Sequence, residues 1–185
     1  MPTPTKAQIQ TQLDRLNTTG FAAMLAQSAQ ANGLPKTFFY AIASRETNCK
    51  NILGDIQADG AHGVGIVQID IQHPIARQAR DTGSWKTDPA PLIEFGAKLL
   101  ALNLHQVQQL LPNLASNDML KVAASGYNCG IVRAIRAASS STGDSDTYTT
   151  GKDYGKDVIA RMAIFDQLLL QSTAATGQPG PTPSQ

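Results

Sequence analysis

Between Asn51 and Gly63 the helical repeat that organises the rest of this 185-residue chain stops. Gly54, Asp55, Asp59, Gly60 and Gly63 place turn-forming residues there, and Val64, Ile66, Val67, Ile69 and Ile71 then supply the β-branched density of short strands. Sequence on both sides keeps a 3.6-residue apolar period, which constrains the fold to a helical body carrying one small piece of sheet. The expectation is an α+β, predominantly α-helical domain with a β-hairpin or three-stranded ribbon. At this length one domain buries roughly 70% of the surface its unfolded chain exposes, so no staples are needed to fold it.

The helical segments can be bounded from their caps. Thr5 with Gln8 reads as a capping box ahead of a short amphipathic helix, Ala7 to Leu16, and Phe21 to Ala31 restarts the period until Asn32-Gly33. Pro35 suits a first helical position, and Phe38, Phe39, Ile42 and Ala43 form an apolar stripe running toward Glu46. His73-Pro74 closes the ribbon, with a short helix and loop around Trp85. Asp88-Pro89 opens a long, heavily buried helix, Leu92 to Leu111, expected at the centre of the fold. Met119 to Ser125 should stop at Gly126, Ile131 to Ala138 is a further helical piece, and Ser139 to Thr150 reads as a low-complexity loop. A final helix covers Asp153 to Gln171. The organisation expected is an N-terminal arm with a short helix (1–20), a main domain (21–172) and a disordered Gly/Pro/Thr-rich tail (173–185).

Composition narrows the function. A formal net charge of +1 offers no field for nucleic acid or an anionic membrane, and a neutral or zwitterionic polymer fits better. No apolar run approaches the roughly 18 residues of a spanning helix, and Met-Pro-Thr-Pro-Thr lacks the regions of a signal peptide. His62, His73 and His105 show no metal-ligand spacing, Gly63-Val-Gly65 lacks the lysine and helix of a phosphate loop, and no Gly-x-Ser-x-Gly elbow occurs. No metal or organic cofactor is expected. Cys49 and Cys129 could be one bridge or two thiols.

The carboxylates carry the chemistry. Glu46 lies four residues after Ile42 and seven after Phe39, so all three share a helix face and the carboxyl points at apolar neighbours. Burial and the negative end of the helix dipole should both raise its pKa, as a general acid requires. The same carboxyl could instead pair with Arg45 or Lys50 at the helix surface. Asp59 and Asp70 flank the glycine-rich turn, and two carboxyl groups in unlike environments are what cleavage of a glycosidic bond needs. Asp59-Gly60 is equally a good hairpin turn, and Asp70 could simply face solvent. Tyr127 and Asn128, set between Gly126 and Gly130, suit a wall that stacks on and hydrogen-bonds a sugar, or an ordinary helix end. Tyr154 has the same two readings.

These residues resemble goose-type lysozymes, relatives of the soluble lytic transglycosylases. Ser44-Arg-Glu46 followed by Asp59-Gly-Ala-His-Gly-Val-Gly-Ile-Val-Gln-Ile-Asp70 is similar to that family's Ser-Arg-Glu and Gly-x-Gly-hydrophobic-hydrophobic-Gln-hydrophobic-Asp block. Leu120-Lys121, Tyr127-Asn128 and Gly130 are similar to its Leu-Lys and Ala-Tyr-Asn-Ala-Gly segment, and Asp153-Tyr154 with Asp157 to Arg161 to its last helix. The blocks span roughly Phe21 to Gln171. The resemblance implies a lysozyme-like fold and an inverting muramidase acting on the β-1,4 bonds of peptidoglycan or chitin-type oligosaccharides. In it Glu46 is the acid, Asp59 and Asp70 activate or position water, and Gln68, Tyr127, Asn128, Tyr154 and His62 line the cleft. It also implies a Cys49–Cys129 disulfide, a monomer, a secreted or periplasmic, cell-wall-facing location, and a proteinaceous lysozyme inhibitor as a partner. Thr47 where serine is usual, Ser125-Gly126 before Tyr127, and Cys129 for alanine depart from the pattern without removing a carboxylate. The alternatives are a lytic transglycosylase, which needs only the glutamate, and a non-catalytic glycan-binding module.

Overall fold

The structure, a computed structural model, describes residues 3–175. In chain order it runs α1 (Lys6–Thr19), α2 (Phe21–Ala31), α3 (Lys36–Thr47), β1 (Leu53–Gln57), β2 (Gly60–Val64), β3 (Ile69–Asp70), α4 (Pro74–Thr82), α5 (Ser84–Thr87), α6 (Ala90–Leu110), α7 (Ser116–Cys129), α8 (Ile131–Ala138) and α9 (Tyr154–Ala175). This is the expected mainly helical α+β fold, with a three-stranded antiparallel ribbon in the order β1-β2-β3. Among the described residues no helix is long and apolar enough to cross a membrane.

Local chemistry sets the helix ends. The capping box at the start of α1 forms in both directions, Gln8 N donating to Thr5 Oγ1 at 3.3 Å and Thr5 N to Gln8 Oε1 at 2.8 Å. Gly20, at φ 80°, then takes the left-handed turn that ends α1 and starts α2. Ile9, Leu13 and Leu16 of α1 are sealed into the common core. The long helix expected from Leu92 is α6, but the helix most enclosed by its neighbours is α3, in which every residue from Thr37 to Arg45 is buried. Tyr40 of α3 meets Phe165 of α9 edge to face, with ring centroids 5.7 Å apart.

The ribbon differs in detail from the expectation. Strands β1 and β2 occupy the stretch read as turns, paired through Leu53↔Val64, Gly54↔Gly63 and Gln57↔Gly60. Ile66 and Val67 sit in the turn after β2, 1% and 0% exposed. Their β-branched side chains report burial in the core, which favours the same residue types as strands do. Gly54 and Gly63 are there for space, because a Cβ on either would come within 2.0 or 2.3 Å of Gln68 Oε1.

Three further expectations are corrected. Gly126 does not stop its helix: α7 continues to Cys129, and Gly126 is buried where a Cβ would lie 3.0 Å from Ile131 Cα. The true stop is Gly130, at φ 88°. The segment read as a low-complexity loop from 139 to 150 holds a 3-10 turn, Ser145–Tyr148, with Ser145 and Asp146 both 1% exposed. Finally, Cys49 and Cys129 are free thiols. Cys49, just past α3, turns its Sγ toward Gln12 of α1 (3.8 Å from Oε1), while Cys129 Sγ faces the Gly130 carbonyl (3.8 Å), so the sulfurs point into different packing environments. The tail expected at 173–185 begins inside α9, which reaches Ala175, and 176–185 lie outside the described residues.

Candidate active site

Glu46 occupies the last turn of α3, and Tyr154 is the first residue of α9. The Tyr154 hydroxyl, on a side chain only 3% exposed, donates a hydrogen bond to Glu46 Oε1. What brings these two helix ends together is a buried ion network. Arg45 donates to Asp157 Oδ2 at 2.7 Å and to Asp153 Oδ1 at 2.8 Å, and its guanidinium sits 5.4 Å from the centre of the Tyr154 ring. Arg161 donates to the same Asp157 oxygen at 2.7 Å and reaches back to Ser44 Oγ at 2.8 Å and Ser44 O at 3.1 Å. Arg45 is thus turned away from Glu46 toward α9, contrary to a simple surface pair between neighbours.

The opposite wall comes from the ribbon's base. Thr47 Oγ1 lies 2.9 Å from Ile66 O and Tyr127 Oη donates to Val67 O at 2.8 Å, tying the turn at 65–68 to α3 and α7. Gly96 of α6 permits this approach, since a Cβ there would lie 2.9 Å from Val67 Cγ2 and 3.2 Å from Tyr127 Oη. A groove of about 690 Å³ opens on the α1 side of Glu46, away from the ribbon, bounded by Thr5, Gln8, Gln12, Arg15, Asn48 and Lys50.

Enclosure governs the electrostatics. Desolvation is the largest influence on Glu46 and raises its pKa from 4.5 to about 7, against smaller downward pulls from the Tyr154 hydrogen bond and the Arg45 charge. The residue keeps partial solvent contact at the groove, yet its carboxyl is surrounded by protein. Burial, reinforced by the nearby Glu46 carboxylate, pushes the Tyr127 and Tyr154 hydroxyls well above their ordinary value, so both remain hydrogen-bond donors.

The other expected residues fall into place unequally. Asp70, at the end of β3, pairs in register with Gly63, is exposed, and accepts from Gln72 N at 2.7 Å. Asp59 sits at the β1–β2 turn, exposed, with Oδ1 2.7 Å from His62 Nε2, and that hydrogen bond holds its carboxyl below the usual range. Counting along β2 from Gly63, three residues at about 3.3 Å each put Gly60, the residue after Asp59, about 10 Å from the level of Asp70. Among the described residues no hydrogen bond joins either aspartate to Glu46. Gln68 spends its amide inside the ribbon, on Ile52 O at 3.0 Å and Gly65 O at 2.7 Å, and Asn128 Oδ1 accepts from Thr150 N at 2.9 Å. The structure therefore gathers Glu46, Tyr154 and Tyr127, leaves Asp70 near the base of the ribbon, and sets Asp59 with His62 at its tip.

Arg161 and Asp146 escaped notice in the sequence as supports of the site. Asp157 and Arg161 are four residues apart on one helix, a spacing that could have flagged their pairing. Asp146 gives no such signal, because its contacts depend on where the chain returns.

A family model described as Lysozyme g matches residues 7–168. Lysozyme g of Gallus gallus is 29% identical over 128 residues, covering 68% of this chain and 54% of its own length. That of Casuarius casuarius is 27% identical over 132 residues, 68% of this chain and 62% of its own. That of Struthio camelus is 25% identical over 149 residues, 80% and 66%. The chain thus spans between about half and two thirds of these curated relatives. Because the family match runs almost from the first turn of α1 into the last turns of α9, and so takes in every element that builds the Glu46 site, the chain belongs to the lysozyme g family.

Proposed function

We propose that the chain is a peptidoglycan muramidase, hydrolysing the β-1,4 bond between N-acetylmuramic acid and N-acetylglucosamine. The observation that carries this reading is the enclosed Glu46 carboxyl, whose pKa of about 7 keeps much of it protonated near neutrality. Glu46 gives its proton to the leaving glycosidic oxygen, and the Tyr154 hydroxyl stabilises the carboxylate left behind. Water then adds to the opposite face of the sugar and passes its proton to a base, which gives inversion. Asp70 is the better base, since it stands free of His62 and nearer the ribbon's base, whereas Asp59 is committed to His62. Tyr127, Asn128, Gln68 and His62 contribute to the sugar-binding walls. The catalytic unit is placed at 21–172, buttressed by α1. Its polymer substrate places it outside the cytoplasm, in the secreted or periplasmic space, where it works as a monomer open to a protein inhibitor.

Glu46→Gln should clear cell-wall suspensions at least about a hundredfold more slowly than the parent. Undiminished clearing would refute Glu46 as the acid, whereas a parent protein that binds cell walls without clearing them would be a glycan-binding module. The placement of Asp59 at the exposed ribbon tip, bonded to His62, favours a second reading, a lytic transglycosylase in which the muramic 6-hydroxyl replaces water and no aspartate base is required. Product analysis separates the two: reducing ends support hydrolysis, and 1,6-anhydro ends support the transglycosylase.

A further inference from the structure

We propose that Asp146 is the positioning residue of this site, gripping the first turn of α9 so that the Tyr154 hydroxyl is held against Glu46. Asp146 is 1% exposed, and its two oxygens divide their work. Oδ1 accepts Gly155 N at 2.7 Å and lies 2.9 Å from Ser125 Oγ, while Oδ2 accepts Lys156 N at 2.9 Å. Gly155 and Lys156 directly follow Tyr154, so two of the amides that α9 leaves unpaired at its start are fixed by one side chain. The seat has no slack. A Cβ on Gly155 would fall 2.4 Å from Ser125 Oγ and 2.6 Å from the Lys121 carbonyl, so this turn rests directly on α7. Thr149 Oγ1 completes the collar, 3.4 Å from Tyr154 N and 3.3 Å from Asp146 Oδ1.

The inference rests on the reading of Glu46 as the acid, and Asp146 acts at one remove from it. The charge that bears on Glu46 is that of Arg45, and the remaining influences are enclosure and the Tyr154 hydrogen bond. Asp146 therefore works through the placement of Tyr154, which supplies the hydrogen bond and one wall of the enclosure. Replacing it by asparagine sets an NH2 donor against a backbone N–H on one side, loosens the turn, and lets water reach the Glu46 carboxyl. Since enclosure is the largest influence, the acid then titrates nearer an ordinary glutamate.

The experiment is an NMR titration of the Glu46 side-chain carboxyl in 13C-labelled full-length protein, run beside kcat and KM on cell walls. Asp146→Asn should move the Glu46 midpoint below the parent's and lower kcat about tenfold, with KM changed less than about twofold. Ser125→Ala removes one neighbour of Asp146 and spares its backbone bonds. It should shift Glu46 in the same direction by less, and it serves as the test if Asp146→Asn does not fold. Asn32→Ala, which removes bonds to Ser28 O and Glu94 at the end of α2 and lies outside the residues lining the groove beside Glu46, is the comparator for a purely structural loss. If Asp146→Asn and Ser125→Ala melt lower, as Asn32→Ala does, yet leave the Glu46 midpoint where the parent has it, the positioning role is overturned. The titration needs no turnover, so a failure of the muramidase reading, seen as an active Glu46→Gln, is distinguishable from a failure of this one.

Discussion

Glu46 shows how one side chain can be tuned against its own solvation. A glutamate in water titrates near 4.5, and enclosure between α3, α9 and the ribbon turn moves it to about 7. The catalytically useful form is the protonated one, so kcat/KM for cell walls should fall as pH rises through about 7. Tyr154→Phe removes a hydrogen bond that favours the carboxylate, so this basic limb should move to higher pH while kcat drops by about tenfold. An unmoved limb in a pH–rate series would contradict the contact. The same shift has a cost in stability. The folded protein binds the Glu46 proton more tightly than the unfolded chain, so its contribution is full below pH 4.5 and is lost as pH rises through about 7. A shift of this size corresponds to about 3 kcal/mol at most. Glu46→Gln, neutral at every pH, should therefore gain melting temperature over the parent at pH 8 and not at pH 4, as thermal denaturation at the two values would reveal.

At the scale of elements, the ribbon is held by space as much as by pairing. Gly54 and Gly63 face each other across β1 and β2, and the gap between them is filled by the Gln68 amide, which bonds Ile52 O and Gly65 O. Gly63→Ala puts a methyl 2.3 Å from Gln68 Oε1, so the amide must leave and both its bonds are lost. The expected outcome is a loss of about 1–3 kcal/mol in urea denaturation, with a larger loss of activity than Gly60→Ala at the ribbon tip. Asp70 lies directly opposite Gly63 on β3, which is why a change in this glycine should reach the proposed base.

The whole molecule is closed by contacts between its first and last thirds. Arg45 and Asp157 are 112 positions apart in sequence, and Arg161 and Ser44 117, yet they form one buried network. Such a network contributes little net stability over a well-packed apolar substitute, but removing one partner strands buried charge. Asp157→Ala leaves two guanidinium groups, of residues 9% and 3% exposed, without their shared carboxylate. A loss of about 3–5 kcal/mol is expected from equilibrium unfolding, with the Glu46–Tyr154 contact failing at the same time because α3 and α9 separate. A loss under about 1 kcal/mol would mean that apolar packing such as Tyr40 against Phe165 holds the two helices without it.

Period, caps and turn residues in the sequence determined the helical body, its single interruption at 51–71, and the placement of Glu46 on an apolar helix face, because each depends on neighbours within a few positions. Thr5 with Gln8 and Gly20 behave as local chemistry dictates. Where two physical causes favour the same residue, local reasoning could not choose between them: Ile66 and Val67 are β-branched for the core and not for a strand, and Gly126 serves close packing and not termination. Nor could it see what the chain's return decides. Asp146 in a Ser/Thr-rich run becomes the buried grip on α9, Asp59 and Asp70 stand at different levels of the ribbon, and the two thiols face apart, because each outcome follows from how α7, α9 and the ribbon settle around α3. Sequence supplied an acid with greasy neighbours on its own helix; the walls that complete its enclosure come from segments distant in the chain and exist only once it has folded.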